Sequence, residues 1–429
     1  MTTINVGIIG LGTVGSGTAK ILLNNADLIQ KRSGINIRLK KISDLDIERD
    51  RGFNIPAGVL TRDAYEIIND PEISVVVELI GGINPAKKFM IDALKNGKHV
   101  VTANKALLAT HGTDIFQAAM DSKRIVGFEA AVAGGIPIIK VLKEGLAANH
   151  IQSIYGIING TSNYILTKMT KEGAEFAKTL AEAQRLGYAE ADPTFDIEGI
   201  DTAHKLTLLA SLSYGIPLSF DSIYKEGITA ITPEDIVYAA ELGYKIKLLA
   251  IAKTAGAEIE LRVHPTMIPD SFMISKVDDV LNAVYITGDA VGETMYYGRG
   301  AGDMPTGSAV VSDIIDIAKN PNAPLTQVIG AEREKFNIKD IKDIETMYYF
   351  RFTALDKPGV LSKISGVLGA HNISISAVIQ KERRAGEAVP LVVLTHKAIE
   401  SNVTGAIGEI DKMPIVAAKT KFIRVEGKE

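Results

Sequence analysis

Gly10-Leu11-Gly12-Thr13-Val14-Gly15 follows directly on the apolar run Ile4-Asn5-Val6-Gly7-Ile8-Ile9 and opens a helical pattern over residues 14–29. A G-x-G-x-x-G turn between strand and helix meets three needs: a tight turn, approach of bare backbone to a pyrophosphate, and close packing of helix on strand. The context predicts a dinucleotide-binding unit, with Gly10, Gly12, Thr13, Val14 and Gly15 at the cofactor. The bland alternative is a glycine-rich turn that binds nothing.

Short apolar runs at 37–42, 74–79, 98–102 and 124–128 continue the pattern, with a helical stretch at 105–120. Strands separated by helices imply βαβ units and a parallel sheet. The chain has 429 residues, 46% hydrophobic and 23% charged, a globular balance too long for a single core. From 136 to 286 the pattern shifts to longer helices with interspersed strands. Residues 171–186 read as a helix stopped by Gly187, and 200–214 as a helix with apolar positions every third residue. Another helix spans 305–318, before a proline-marked break at 320–324. From about 344 the order is strand 346–354, helix 358–370, strands 373–380 and 389–395, helix 398–410 and strand 415–425, a ferredoxin-like βαββαβ. The expected fold is α/β in three parts: a Rossmann-type domain over 1–135 that regains a helix at about 303–320, an α+β domain over 136–302, and the small domain over 344–429.

Net charge is −4, from 47 Lys+Arg against 51 Asp+Glu, so nothing basic points to nucleic acid. Cysteine is absent, which excludes disulfides, zinc-thiolate sites, iron–sulfur clusters and a thiol nucleophile. No run of about 20 apolar residues argues for a membrane span. The first ten residues lack a basic leader, and the cytoplasm is the expected location. Seven histidines without H-x-H or H-E-x-x-H spacing give no transition-metal signature, and His264 before Pro265 reads as a strand-end residue.

Asp44 closes the second strand, where a carboxylate commonly meets the adenosine ribose; Arg49 and Arg51 beyond it could instead meet a 2′-phosphate. Thr102-Ala103-Asn104-Lys105 sits at a strand end, where such sheets present residues to the ligand crevice. The densest signal is the segment 187–201, which holds five carboxylates, Glu190, Asp192, Asp196, Glu198 and Asp201. Such crowding is costly unless something positive sits among them. Asp201 and Lys205 are four apart on one helix face, and a lysine kept protonated by a carboxylate can give a proton to a carbonyl oxygen as hydride arrives. A solvated helix pair remains the alternative. Asn159-Gly160-Thr161-Ser162-Asn163-Tyr164 is either a polar run that orients a substrate or a turn. Gly298-Arg299-Gly300-Ala301-Gly302 is a second glycine-rich turn before a helix.

Together these residues resemble the homoserine dehydrogenase family with a C-terminal ACT regulatory domain. The resemblance rests on the glycine turn, Val77-Glu78-Leu79-Ile80-Gly81-Gly82, Ala103-Asn104-Lys105, the run from Glu129 through Gly134-Gly135-Ile136-Pro137, the polar run at 159–163, and residues 186–205. It implies reversible reduction of L-aspartate 4-semialdehyde to L-homoserine with NAD(P)H, and makes 136–302 the catalytic and dimerisation domain. It places Lys205 as proton donor, Lys105 beside nicotinamide and substrate, and Glu190, Asp196 and Asp201 around the substrate. Gly302 would approach the cofactor. It further implies a monovalent cation, usually sodium, held by Glu129 and the carbonyls of Val132, Gly134 and Ile136, in keeping with hard oxygen ligands. Leu355-Asp356-Lys357-Pro358-Gly359 and His371-Asn372-Ile373 carry the likeness to ACT domains, which pair in homo-oligomers, here a dimer or tetramer. Threonine would be the effector. Ser43-Asp44 departs from the basic residue many family members carry there, so NADP preference does not carry over.

Overall fold

The computed structural model describes residues 3–323, 335–381 and 386–427. The chain forms two compact units: Met1–Gly160 with Asp201–Ile223 and Val280–Phe336, and Thr161–Ile200 with Tyr224–Asp279 and Asn337–Glu429. Among the described residues no helix is long and apolar enough to cross a membrane.

In the first unit six parallel strands, β1 (Thr3–Ile9), β2 (Asn36–Ser43), β3 (Leu60–Thr61), β4 (Ile73–Glu78), β5 (His99–Thr102) and β6 (Val126–Gly127), pair in the order β3-β2-β1-β4-β5-β6. The order reverses between β1 and β4, and the crevice at their C-terminal ends is where such sheets bind ligands. Val6, Ile8, Val75, Val77 and Val101 are fully buried, as expected of strands covered on both faces. The helix expected over 14–29 is two helices, Thr13–Asn24 and Ala26–Ser33, parted at Asn25, whose φ of −109° and ψ of 17° leave the helical region. Consecutive asparagines favour that break, because their amides compete for backbone groups. Helix Asp303–Lys319 returns to pack on Thr13–Asn24 through two glycines. A Cβ on Gly17 would lie 2.0 Å from the Asp303 carbonyl oxygen, and one on Gly307 2.7 Å from the Thr18 nitrogen. Strands Ile151–Ile157, Leu281–Gly288 and Gly292–Arg299 form an antiparallel set.

The helix expected over 171–186 also differs. Two helices, Gly160–Glu172 and Phe176–Arg185, are separated at Gly173, which sits in the left-handed region at φ 64°. The first escapes sequence reading because its opening turn is buried yet polar: Thr161, Ser162 and Asn163 lie inside with Ile165, Leu166 and Met169, so the apolar pattern begins only partway along it.

The second unit contains the hairpin Tyr244–Ala255/Glu258–Pro269 and the expected βαββαβ. Its four strands run in the order Val416–Val425, Glu345–Leu355, Ala388–Thr395, Ile375–Ile379, all antiparallel, with helices Val360–Ala370 and Glu400–Ile410 closing a core around Tyr348, Phe350, Phe352, Leu368 and Val403. The sheet does not stop there. Strand Val416–Val425 also pairs in parallel with Glu258–Pro269, through Thr266 with Arg424 and Met267 with Val425.

Buried charge fills this seam. The Glu426 carboxylate accepts from Arg262 Nη2 and Lys253 Nζ, each at 2.5 Å. Arg424 donates to Glu400 and, at 2.6 Å, to Glu226, while the Tyr348 hydroxyl donates to Glu400 at 2.7 Å. His264 lies in mid-strand, fully buried, not at a strand end. Burial, with Arg424 and Arg262 nearby, holds it well below the usual imidazole range. Neutral, its Nε2 accepts from Arg262 Nη1 at 2.7 Å while Nδ1 faces the Pro265 carbonyl.

Burial would raise the Glu426 pKa, but Arg262 and Lys253 outweigh it and hold it at about 2. A depressed carboxylate contributes stability above its unfolded pKa, and that contribution disappears as pH falls through the folded value. Urea unfolding is therefore expected to show on the order of 3 kcal/mol lost between about pH 4.5 and pH 2 that Glu426→Gln lacks. At neutral pH the same variant, which leaves Arg262 with Glu260 as its only carboxylate partner among the described residues, is expected to cost about 3 kcal/mol.

Candidate active site

The three glycines of the first turn meet three different demands. Gly10 has φ 103°, and a Cβ there would lie 2.7 Å from the Leu79 carbonyl. On Gly15 it would lie 2.0 Å from the Gly10 carbonyl oxygen, so that glycine lets the helix close on the strand. On Gly12 it would meet nothing within 4 Å, so the protein's own packing does not require this glycine. Gly12 lines a cavity of about 600 Å³, together with Ser43, Asp44, Arg62, Ile80 and Gly81.

Asp44 is tied to the turn, its Oδ2 accepting the Leu11 N–H at 2.5 Å and its Oδ1 the Asp46 N–H at 2.9 Å. Arg51 Nη2 reaches Asp44 Oδ1 at 3.3 Å. Arg49 contributes a backbone N–H to Asp46 and does not line the cavity. Arg62, which the sequence reading missed, does line it and pairs with Glu48 at 3.2 Å. Its signal was its place just past β3, a strand of two residues that is too short to read.

At the next strand ends, Glu78 is fully buried and accepts from Ile80 N, Gly81 N and the Thr102 hydroxyl, fixing the turn after β4. Burial raises its pKa against those bonds. Asn104 caps helix Lys105–Ser122 by accepting from Leu107 N, and its Nδ2 donates to the Gly82 carbonyl. Lys105 thereby stands at the first helical position, half exposed.

Asp201 opens helix Ile200–Tyr214, and its carboxylate is shared. Lys105 Nζ lies 3.1 Å from Oδ1, Lys205 Nζ 2.6 Å from Oδ2, and Asn159 Nδ2 donates to Oδ2 at 2.8 Å. Lys205 Nζ also donates to the Ile158 carbonyl at 2.6 Å. Burial would push Asp201 up; Lys205 and Lys105 overcome that and hold it far below the carboxylate range. The i,i+4 pair is therefore buried, with Lys205 only 10% exposed, and is not a solvated surface bridge. Asn159 is the residue the sequence left without a partner.

Glu190 and Asp196 lie in the second unit, on the segment leading to that helix. Glu190 is exposed, and its carboxylate makes no hydrogen bond or ion pair among the described residues. Asp196 lies on the short helix Thr194–Ile197.

Glu129, 2% exposed, accepts from Ile139 N at 2.8 Å and Lys140 N at 2.9 Å, and its own N–H donates to Asp313 Oδ2. Burial raises its pKa and, with the Glu129 charge, raises Asp313 to about 7. The following loop turns through left-handed Ala133 and Gly134. A Cβ on Gly134 would lie 2.4 Å from the Gly300 carbonyl oxygen, so this loop packs against the second glycine-rich turn. Gly302, at φ 122°, caps helix Asp303–Lys319.

A parallel sheet of this order, a glycine turn open to a ligand and a buried carboxylate bridged by two lysines at the strand ends define an NAD(P)-dependent oxidoreductase. Residues 10–129 match the family model described as homoserine dehydrogenase, NAD binding domain; 137–315 match homoserine dehydrogenase, and 348–413 the ACT domain. A homoserine dehydrogenase of Neisseria gonorrhoeae is 48% identical over 99% of both chains, and that of Bacillus subtilis 41% identical over 100% of this chain and 99% of its own. The crystal structure of a homoserine dehydrogenase from Thiobacillus denitrificans superposes with a TM-score of 0.93 at 49% identity, covering 99% of each chain. A hyperthermophilic archaeal homoserine dehydrogenase mutant, solved in complex with NADPH, has a TM-score of 0.62 at 26% identity, covering 76% of this chain and 100% of its own. The chain belongs to the homoserine dehydrogenase family, whose reaction interconverts L-aspartate 4-semialdehyde and L-homoserine.

The glycine turn yields a paired expectation. Gly12→Val is expected to keep the wild-type melting midpoint yet weaken NADH binding at least about tenfold by fluorescence titration, since its side chain enters ligand space. Gly15→Val is expected to lower the midpoint itself, having backbone 2.0 Å from its Cβ.

Proposed function

We propose that Lys205 is the proton donor of the reduction and that Asp201 keeps it charged and in place. The observation that carries this is the single buried carboxylate held between two ammonium groups. Gly10, Gly12, Thr13, Val14, Gly15 and Gly302 would hold a nicotinamide cofactor, which when bound would supply a hydride for the aldehyde carbon. Lys205 gives the proton to the aldehyde oxygen, and the product is an alcohol. The Asp201 charge then favours reprotonation of the amine. Lys105, on the other oxygen of the same carboxylate, adds a second positive charge where the oxygen becomes negative. Glu190, Asp196 and Asp201 are assigned to the substrate, Glu190 and Asp196 to the ammonium of the amino acid.

Glu129, Val132, Gly134 and Ile136 would hold a sodium ion. They fit one by donor chemistry: each Glu129 oxygen accepts one N–H and retains a lone pair, and loop carbonyls supply the other hard ligands. The ion would neutralise a carboxylate that burial disfavours and lock the loop at 129–136. Asp44 offers an acceptor to an adenosine ribose and Arg51 and Arg62 offer guanidinium groups to a 2′-phosphate, which supports use of NAD, NADP or both. The functional division is a cofactor domain over 1–135 with 303–320, a catalytic and dimerising domain over 136–302 and a regulatory domain over 344–429. The regulatory domain would bind threonine in a homo-oligomer, a dimer or tetramer, in the cytoplasm.

Absorbance at 340 nm with L-homoserine and each cofactor reads the activity, and added threonine the regulation. Lys205→Ala is expected to lower kcat by about 10²–10⁴-fold with NADH affinity nearly unchanged. Turnover near wild type would remove Lys205 from the mechanism. Replacing potassium by sodium is expected to raise the melting midpoint of the parent by about 2 °C or more, and of Glu129→Ala not at all.

A further inference from the structure

The polar run at the head of helix Gly160–Glu172 was expected to orient a substrate or form a turn. Its hydroxyls instead point at the backbone of the acidic loop. Thr161 Oγ1 donates to the Tyr188 carbonyl at 2.6 Å and Ser162 Oγ to the Asp196 carbonyl at 2.8 Å. Gln184 Nε2, from helix Phe176–Arg185, reaches the carbonyls of Glu190 at 3.1 Å and Ala191 at 3.2 Å. The Tyr164 ring meets Tyr188 edge to face at 5.0 Å. Thr161 and Ser162 are buried, and left-handed glycines at 187 and 199 bound the loop.

A loop crowded with carboxylates would be held most strongly by lysine or arginine, but a cation would cancel the charge an ammonium substrate is drawn to. Hydroxyl and amide donors to main-chain carbonyls fix the backbone on both sides of Glu190 and leave its carboxylate without a hydrogen bond or ion pair among the described residues. We propose that Thr161, Ser162 and Gln184 are positioning residues that set the Glu190 carboxylate for the ammonium of the amino-acid substrate without neutralising it. This rests on the reading that Glu190 binds that ammonium.

The test is steady-state oxidation of L-homoserine by the full chain, with NADH affinity and melting midpoint recorded for each variant. Glu190→Gln sets the scale and is expected to raise KM. Thr161→Val and the half-exposed Gln184→Leu are each expected to raise KM about five- to tenfold, with kcat within about twofold and NADH affinity unchanged. Thr161→Ser, which restores the hydroxyl, is expected to restore KM. A raised KM in Glu190→Gln with none in Thr161→Val and Gln184→Leu overturns the brace alone. Equal losses in Thr161→Ser and Thr161→Val overturn it too, because the hydroxyl is then not the agent. An unchanged KM in Glu190→Gln overturns the reading of Glu190 beneath it.

Discussion

Asp201 is a buried carboxylate, and a buried charge survives only if its surroundings repay the loss of water. Here the repayment comes from Lys105 at the end of β5, Lys205 one turn along the same helix, and Asn159 just after strand Ile151–Ile157. Each belongs to an element whose register is fixed elsewhere: β5 by its parallel neighbours, and Ile151–Ile157 by its antiparallel partner at Leu281–Gly288. The first unit therefore works as a frame that delivers two cations and one amide to one anion. Lys205, proposed above as the proton donor, is also the cation most deeply buried against that anion.

The same economy governs the cofactor end. Helix Asp303–Lys319 touches the glycine-turn helix at Gly17 through its first residue, and through Asp313 it accepts the Glu129 N–H. One rigid rod thus links the dinucleotide turn to the loop at 129–136, which gives a reason for the chain to return to its first domain after so long an excursion.

Much of this is written locally and could be read. The parallel strands announce themselves as short apolar runs because both faces are covered, and the glycine turn because Gly10 and Gly15 each answer a separate steric demand. Asp201 and Lys205 share a helix face, so four-residue spacing exposes the pair. What stayed hidden lacks a local mark. Arg62 follows a strand of two residues. Helix Gly160–Glu172 buries threonine, serine and asparagine, which reads as a turn. The continuation of the βαββαβ sheet into the hairpin depends on residues 266–267 meeting 424–425, and no periodicity records a partner so distant.

That distant pairing has a consequence for the nascent chain. Arg262 leaves the ribosome 164 residues before Glu426, a delay on the order of ten seconds or more at ordinary synthesis rates. Through that interval the stretch at Thr266 and Met267 has no strand at its outer edge, and an open edge invites pairing with other chains. Glu260 and Arg262, already salt-bridged to each other on the same strand, put charge beside that edge while it waits. The arginine that seals the finished seam would thus first act as a guard against aggregation, before its lasting partner exists.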